Sequence, residues 1–387
     1  MIPLKYNVKS LFVRKATTLM TIFSIAFVVL VYIGVLALAA GLRVAFGASG
    51  DSSTVIVLRD GTNTEMESYF PSETHRILAT LPGVAQGPDG EPIASGETMT
   101  LQILKRQDGS ETNVTLRGVE AEAFTLRPYI QIGEGRRFEP GTAEIIVGRQ
   151  LAGRLADLRV GTVLDLGRLS FTVVGIFDAA GSSYSSEVWG DVQVLGDAFR
   201  RQNYYSATRL KATSPAGVQA LIDAAENNQQ IDVDARDEPS YFEAQSTTSS
   251  GVFLLLGNLV AFMMGFGACF AAANTMYAQI SARSKEIAAL RVLGFQRRTI
   301  LSAFVLEATV LGLIAGVLGA VLSLPLNGIS AGTSNFLTFT EMSFVLRTTP
   351  DVLAAGVAVA TVTAVIGGFF PAWSASRAPI AKLLREG

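Results

Sequence analysis

The stretch RSKEIAALRVLGFQRR, Arg283 to Arg298, decides how the rest of the chain is read. It carries Arg283, Lys285, Arg291, Arg297 and Arg298 and is too charged to cross a bilayer, yet long apolar runs flank it on both sides. A chain that has just crossed a membrane and is turning back has this pattern.

Working outward, the apolar fraction of 49% over 387 residues argues against the two or three soluble domains that length alone would suggest. Four runs reach the ~20 helical residues needed to cross the hydrocarbon layer. The first is uncharged from Ala16 to Leu42, the second runs from Gly251 to Met276, the third from Thr299 to Leu324 with Glu307 inside, and the fourth from Val352 to Ser376 with Pro371 near its end. The first run is longer than the ~7–15 apolar residues of a signal peptide, so it is expected to remain as a span.

Basic residues fix the orientation, because Lys- and Arg-rich short loops stay on the cytoplasmic side. Lys5, Lys9, Arg14 and Lys15 precede the first span, the quoted stretch follows the second, and Arg377, Lys382 and Arg385 follow the fourth. All three clusters fall on one side, so both termini are expected in the cytoplasm and the large segment after the first span outside.

The expected organisation is a cytoplasmic amphipathic helix over 1–15, spans over 16–42, 251–277, 299–324 and 351–373, and an outside domain over 43–250. A cytoplasmic segment over 278–298, a short outside loop over 325–350 and a cytoplasmic tail over 374–387 complete it. The fold class is thus an α-helical membrane protein with a large α+β domain inserted between its first two spans.

Within the outside domain, TVIVLRDG at Thr54, a helix opening at Pro71 and MTLQILKRQDG at Met99 form one βαβ-like unit. SATRLKAT at Ser206, a helix capped from Ser214 and IDVDAR at Ile231 form a second. The two halves, about 51–120 and 204–245, are expected to pair around an inserted, mainly β part at about 121–203. In that part the Ser- and Gly-rich AAGSSYSSEVWGD, after Phe177, reads as a mobile surface loop.

Catalytic constellations are missing. His75 is the only histidine, which removes two-histidine metal motifs and leaves it as an expected solvated surface residue. GRQLAGRL from Gly148 places Arg154 and Leu155 where a phosphate loop needs Lys and Ser or Thr, so no ATP site is expected in this chain. Cys269 has no second cysteine to pair with, and a formal charge of −2 gives no electrostatic footprint for nucleic acid. Glu307 is the one carboxylate within a span; it lies about nine residues, or ~13 Å of helix, past Arg298 and is expected to be paired. With no other charges in the spans, an ion-driven path is not expected, and the energy must enter from elsewhere.

One span, a large outside domain and three further spans resemble the MacB/FtsX-like permease subunits of ATP-binding cassette systems. NTMYAQISARSKEIAALRVLGFQRRTIL from Asn274 resembles the family's second span end and cytoplasmic turn, and FVLEA at Phe304 resembles the segment after it. PAWSASRAPIAKLLRE from Pro371 resembles its C-terminal ending, and VGRQLAGRL with VGTVLDLGRLSFTVVGIF resembles its inserted subdomain. The resemblance implies porter-like and sabre-like subdomains, a bacterial inner-membrane location, and a second copy or related permease beside this one. It implies two copies of a cytoplasmic ATPase carrying ATP and Mg on a separate chain, and a periplasmic adaptor, lipoprotein or outer-membrane channel as a further partner.

The quoted turn would then receive the ATPase's motion. Its coupling residues are expected to be Arg283, Lys285, Glu286, Ile287, Leu290, Arg291, Leu293, Gly294 and Phe295, with Ile287 and Leu290 as apolar knobs inside a charged rim and Gly294 as the helix stop. The expected function is a permease that moves amphipathic or hydrophobic cargo (drug, lipid, lipoprotein or peptide) out of or across the envelope. The alternative is a signalling adaptor that activates a periplasmic hydrolase without transport.

Overall fold

The computed structural model describes residues 15–156, 158–334 and 340–379. The expected N-terminal amphipathic helix, apart from its last residue, lies outside the described residues, as does the tail beyond 379. The chain divides into a membrane unit (Met1–Ala40, Val252–Ile329 and Leu346–Gly387) and an outer unit (Gly41–Gly251 and Ser330–Val345).

Among the described residues four helices are long and apolar enough to span a bilayer: Thr18–Gly47, Glu238–Ala282, Arg297–Leu326 and Pro350–Arg377. The second is much longer than the apolar run that marks it, because the polar segment Glu238–Ser250 continues the same helix. In the membrane unit, packing relies on small residues rather than on bulk. A Cβ at Gly312 would press on Thr361 and Ala364, and one at Gly316 on Val357 and Ala360, so the third and fourth spans meet backbone to backbone along a Gly-xxx-Gly face. Ile25, Val29 and Ile33 of the first span and Ala268 and Ala272 of the second join Ala315, Ala360 and Ala364 in one core. Thr21 and Thr275 hydroxyls hydrogen-bond across the first two spans at 2.5 Å, satisfying polar groups that lipid would leave without partners.

The outer unit holds strands β1 (Thr54–Arg59), β2 (Phe70–Pro71), β3 (Ala94–Lys105), β4 (Glu111–Val119), β5 (Gln131–Gly135), β6 (Glu144–Gly148) and β7 (Val163–Leu166). It continues with β8 (Leu169–Asp178), β9 (Glu187–Asp191), β10 (Tyr204–Tyr205), β11 (Ala207–Lys211), β12 (Val233–Asp237), β13 (Ser330–Ser334) and β14 (Glu341–Val345). Among the described residues one ten-stranded sheet runs β12-β1-β11-β3-β4-β9-β6-β8-β5, with β7 beside β8. β1 is antiparallel to both β11 and β12, and β11 is antiparallel to both β1 and β3. Each βαβ-like unit is therefore split by a strand of the other, so the two interlock rather than stand side by side. Helices Ser72–Ala79 and Val218–Glu226 cover one face, packing Leu78, Leu221 and Ala225 on Val55, Val57 and Leu210. The second helix follows a one-turn 3₁₀ segment, and Ser214 makes no side-chain cap.

β3 is twelve residues long and belongs to both parts of the sheet: Ala94–Glu97 pair β11 and Thr98–Lys105 pair β4. The inserted part packs Ile145, Val147, Phe171, Val173 and Val188 in one core with Leu116 of β4. Its last helix, Val192–Ala198, is capped by Asp191, whose carboxylate accepts from the Gln193 and Val194 amides at 2.9 and 3.0 Å.

Two expectations are corrected here. AAGSSYSSEVWGD is not a surface loop: after an exposed turn it enters the core as a 3₁₀ turn, Ser183–Ser186, and the wholly buried β9. Two of its serines find partners inside, Ser183 with Ser49 at 2.7 Å and Ser186 with the Ser343 amide at 2.8 Å. His75 is buried, with Nε2 3.2 Å from Glu120 and Nδ1 3.1 Å from the Thr208 hydroxyl.

The segment between the third and fourth spans is also more than a loop. β13 and β14 form a hairpin belonging to the outer unit, where the wholly buried Glu341 side chain is held by Arg106 at 3.1 Å and Arg154 at 2.8 Å.

Candidate coupling site

The helix Glu238–Ala282 ends one residue before Arg283, whose backbone leaves the helical range, and a short helix Ser284–Val292 follows. Glu286 in its first turn and Arg291 in its last complement the helix dipole. Its end is fixed by a Schellman pattern: the Phe295 amide donates to the Leu290 carbonyl at 3.1 Å and the Gly294 amide to the Arg291 carbonyl at 3.2 Å. Gly294 takes φ 92°, a left-handed value that residues with a Cβ adopt at a cost.

One side of this helix is anchored to the membrane unit. Ile287 is only 3% exposed and packs with Ala288 among Met276, Ile280, Ile300, Phe304 and Ala372, which come from the second, third and fourth spans. Arg283 reaches Glu307 in the third span at 3.3 Å and Glu286 at 3.2 Å, with its guanidinium 5.5 Å from the Phe304 ring centre. Glu307, 1% exposed, is thus paired within its own unit. A cavity of about 20 Å³ remains between Arg283, Leu290, Ile300 and Glu307.

The other side is open. Val292 (69%) and Leu293 (76%) are exposed, Phe295 is partly so, and the charged Lys285, Glu286, Arg297 and Arg298 are exposed as well. Arg297 and Arg298 open the helix Arg297–Ser323, where its dipole disfavours cations, so helix stability does not account for them. The expectation that Ile287 is an interface knob is corrected: it is core. Leu290 is half-buried, and the outward apolar edge is Val292, Leu293 and Phe295. Arg291 is likewise half-buried. A nine-residue helix with apolar side chains on several faces does not reveal in sequence which of them faces in.

Sequence reading also passed over a large buried polar cluster, which lies in the outer unit. Arg117 of β4 binds Glu187 at 2.7 Å, Glu65 at 2.6 Å and Glu97 at 2.9 Å. Arg209 of β11 binds Glu97 at 2.5 Å, Glu65 at 2.8 Å and Glu238 at 2.9 Å, and Arg127 binds Glu97 at 2.8 Å. Arg127 also lies over the Tyr184 and Trp189 rings, and Trp189 donates to Glu187 at 2.7 Å. All these charges are buried. Burial alone would raise the Glu65 and Glu97 carboxyls, but the guanidiniums, Arg117 foremost for Glu65 and Arg127 for Glu97, hold both below the usual carboxylate range. Burial pushes the Tyr184 and Tyr241 hydroxyls up. The cluster ties both parts of the sheet to Glu238, the first residue of the long second helix. The available signal was charge inside otherwise apolar strands, as in ETNVTLRGV and ATRLK. Among the described residues no group of three or more His, Cys, Asp or Glu is placed to hold a metal ion.

With this geometry in view, comparison with known proteins is specific. Residues 18–228 match the MacB-like periplasmic core domain, and residues 258–380 match the FtsX-like permease C-terminal domain. The chain belongs to the MacB/FtsX-like permeases of ATP-binding cassette transporters. It is 30% identical over 383 residues to a pyoverdine export ATP-binding/permease protein, PvdT, of Pseudomonas savastanoi pv. phaseolicola, covering 87% of this chain and 56% of that protein. It is 23% identical over 350 residues to a macrolide export ATP-binding/permease protein, MacB, of Agrobacterium fabrum, covering 84% and 53%. The chain thus spans little more than half the length of these relatives. The crystallised periplasmic region of MacB from Actinobacillus actinomycetemcomitans aligns with 50% of this chain and 92% of its own, at 10% identity and TM-score 0.38.

Proposed function

We propose that this chain is the permease half of an ATP-driven exporter or extractor, in which the turn Arg283–Arg298 takes up the motion of a cytoplasmic ATPase carried on a separate chain. In this reading both termini and the turn are cytoplasmic, as the three basic clusters imply. The observation that carries it is the two-sided helix Ser284–Val292. Its inner side is fixed to three spans through Ile287 and the Arg283–Glu307 pair, and its outer side offers Val292, Leu293 and Phe295 within a charged rim. A partner pressing on that edge moves the span ends with it. Two permease copies and two ATPases, holding ATP and Mg, complete the assembly, and the outer unit converts the motion into movement of amphipathic or hydrophobic cargo. The names of the relatives, which speak of macrolide and pyoverdine export, support the exporter side over the signalling alternative.

The test is to purify the tagged full chain from native membranes and assay for a co-purifying ATP-binding chain with vanadate-sensitive hydrolysis. Leu293→Ser is expected to lose both partner and coupled hydrolysis, while the unaltered chain keeps them. Recovery of the unaltered chain without any ATP-binding partner overturns the reading. Hydrolysis stimulated only by a periplasmic hydrolase, and by no lipid, lipoprotein or drug, transfers it to the signalling alternative.

A further inference from the structure

The outer unit carries a groove that the coupling reading does not use. It measures about 280 Å³ and is lined by Tyr69, Tyr204, Tyr205, Met66, Arg200 and Arg201. That is near the lower end of the ~300–1,000 Å³ typical of small-molecule sites. Three features of its construction point to a ligand.

Its floor is preset. The Tyr205 hydroxyl donates to Glu120 at 3.0 Å and accepts from the Gln193 amide at 3.1 Å. The ring lies so close to Gly96 that a Cβ there would overlap it. Its walls are aromatic and wet. Tyr69 and Tyr204 meet edge to face at 6.0 Å between ring centres, yet stay 55% and 45% exposed, so their faces are left for another group to cover.

Its rim is cationic and without counter-ions. Arg59 lies 5.4 Å from the Tyr69 ring centre, and among the described residues neither Arg59, Arg200 nor Arg201 has a carboxylate within ion-pair distance. Arg201 is half-buried and gives one guanidinium nitrogen to the Met99 carbonyl at 2.8 Å. The loop presenting these side chains holds Arg200 at φ 57° and Asn203 at φ 61°, left-handed values that for arginine are uncommon and that gather at binding loops.

From this we infer that the groove binds a small organic anion carrying a flat ring, with its carboxylate on the Arg200 and Arg201 guanidiniums and its ring against Tyr69 and Tyr204. Guanidinium donors match a carboxylate in the plane, and aromatic walls accept a ring at little entropic cost. The volume suits a molecule of that size better than a protein segment. The inference requires no ATPase, so its failure leaves the coupling reading standing, and the reverse also holds.

The full chain in lipid nanodiscs is titrated calorimetrically with 2-naphthoate, against empty nanodiscs, with 2-naphthalenemethanol as the neutral ring and acetate as the ringless anion. Saturable binding of 2-naphthoate is expected, with neither control matching it. Arg200→Gln should weaken it by about tenfold or more, the scale of one lost charge-assisted contact, and Tyr204→Ala by about tenfold through the lost ring contact. Both side chains are surface groups, so the thermal transition of each unliganded variant should match that of the parent. Absence of saturable binding, equal binding of the neutral ring, or binding that survives both substitutions overturns the proposal. So does tighter binding of an acidic octapeptide than of 2-naphthoate, which assigns the groove to a protein segment instead.

Discussion

Arg283, the residue at which the second span's helix gives way to the turn, places its guanidinium Nη1 3.3 Å from a Glu307 carboxylate oxygen in the third span. The pair joins two spans at the same level as the turn. Removing the cation from a buried carboxylate costs about 3–5 kcal/mol, whereas removing Glu286, whose side chain is half-exposed, costs at most about 1 kcal/mol. Arg283→Gln should therefore lower the thermal transition of the full chain far more than Glu286→Gln, and Glu307→Gln should partly restore the Arg283→Gln chain. Equal effects of the two single substitutions would refute the pairing as a structural tie.

Ile287 and Leu293 should separate stability from coupling. Ile287→Ala cuts into a closed core and should cost about 2–5 kcal/mol. Leu293→Ala removes a side chain that touches mostly solvent and should leave stability within about 0.5 kcal/mol. ATPase stimulation by the assembled complex should show the reverse order per folded molecule. Thermal unfolding and hydrolysis on the same preparations measure both.

The buried arginine–glutamate cluster sets an acid limit. Because the folded Glu65 and Glu97 carboxyls lie below the ordinary 4.5, their stabilisation is complete above that value and drains away as pH falls below it toward the folded values. The chain has two tryptophans, and Trp373→Phe leaves Trp189, inside the cluster, as the reporter. Its emission should show a transition temperature flat from pH 8 to about 5 and falling below about 4.5. Glu97→Gln should destabilise by about 3–5 kcal/mol at neutral pH, since three guanidiniums then share fewer carboxylates.

Glu341 should hold its hairpin in place. Glu341→Ala removes the buried carboxylate that Arg106 and Arg154 share, and amide hydrogen exchange over 341–345 is expected to quicken. Protection in β1 and β11 should not change. Unaltered exchange over 341–345 would show that strand pairing alone secures the hairpin.

How much of this was legible follows from what each signal depends on. Span positions rest on runs of about 20 apolar residues, a local property, and Gly294 as a helix stop is local too. β1, β11 and β12 were readable from alternation and their bounding turns. The facing of Ile287 was not, because it depends on Met276, Ile300 and Phe304, each from elsewhere in the chain. His75 and the serines of AAGSSYSSEVWGD read as surface because they are polar; their partners, Thr208, Glu120, Ser49 and Ser343, lie 45 or more residues away. The arginine–glutamate cluster draws on seven separate segments, and no window of sequence contains more than a fragment of it.

The β13–β14 hairpin gives the outer unit an order of assembly. That unit is made of Gly41–Gly251 and Ser330–Val345, and the chain between them supplies two of the four spans. When a ribosome has delivered only the first of these segments, Arg106 and Arg154 still lack Glu341, and the Ser186 hydroxyl lacks the Ser343 amide. The unit reaches its final form only after the third span has been made and β13 and β14 have joined it. A chain that ends before residue 341 therefore leaves the Arg106 and Arg154 guanidiniums without the carboxylate they share, so the outer unit owes part of its own interior to sequence that follows two spans.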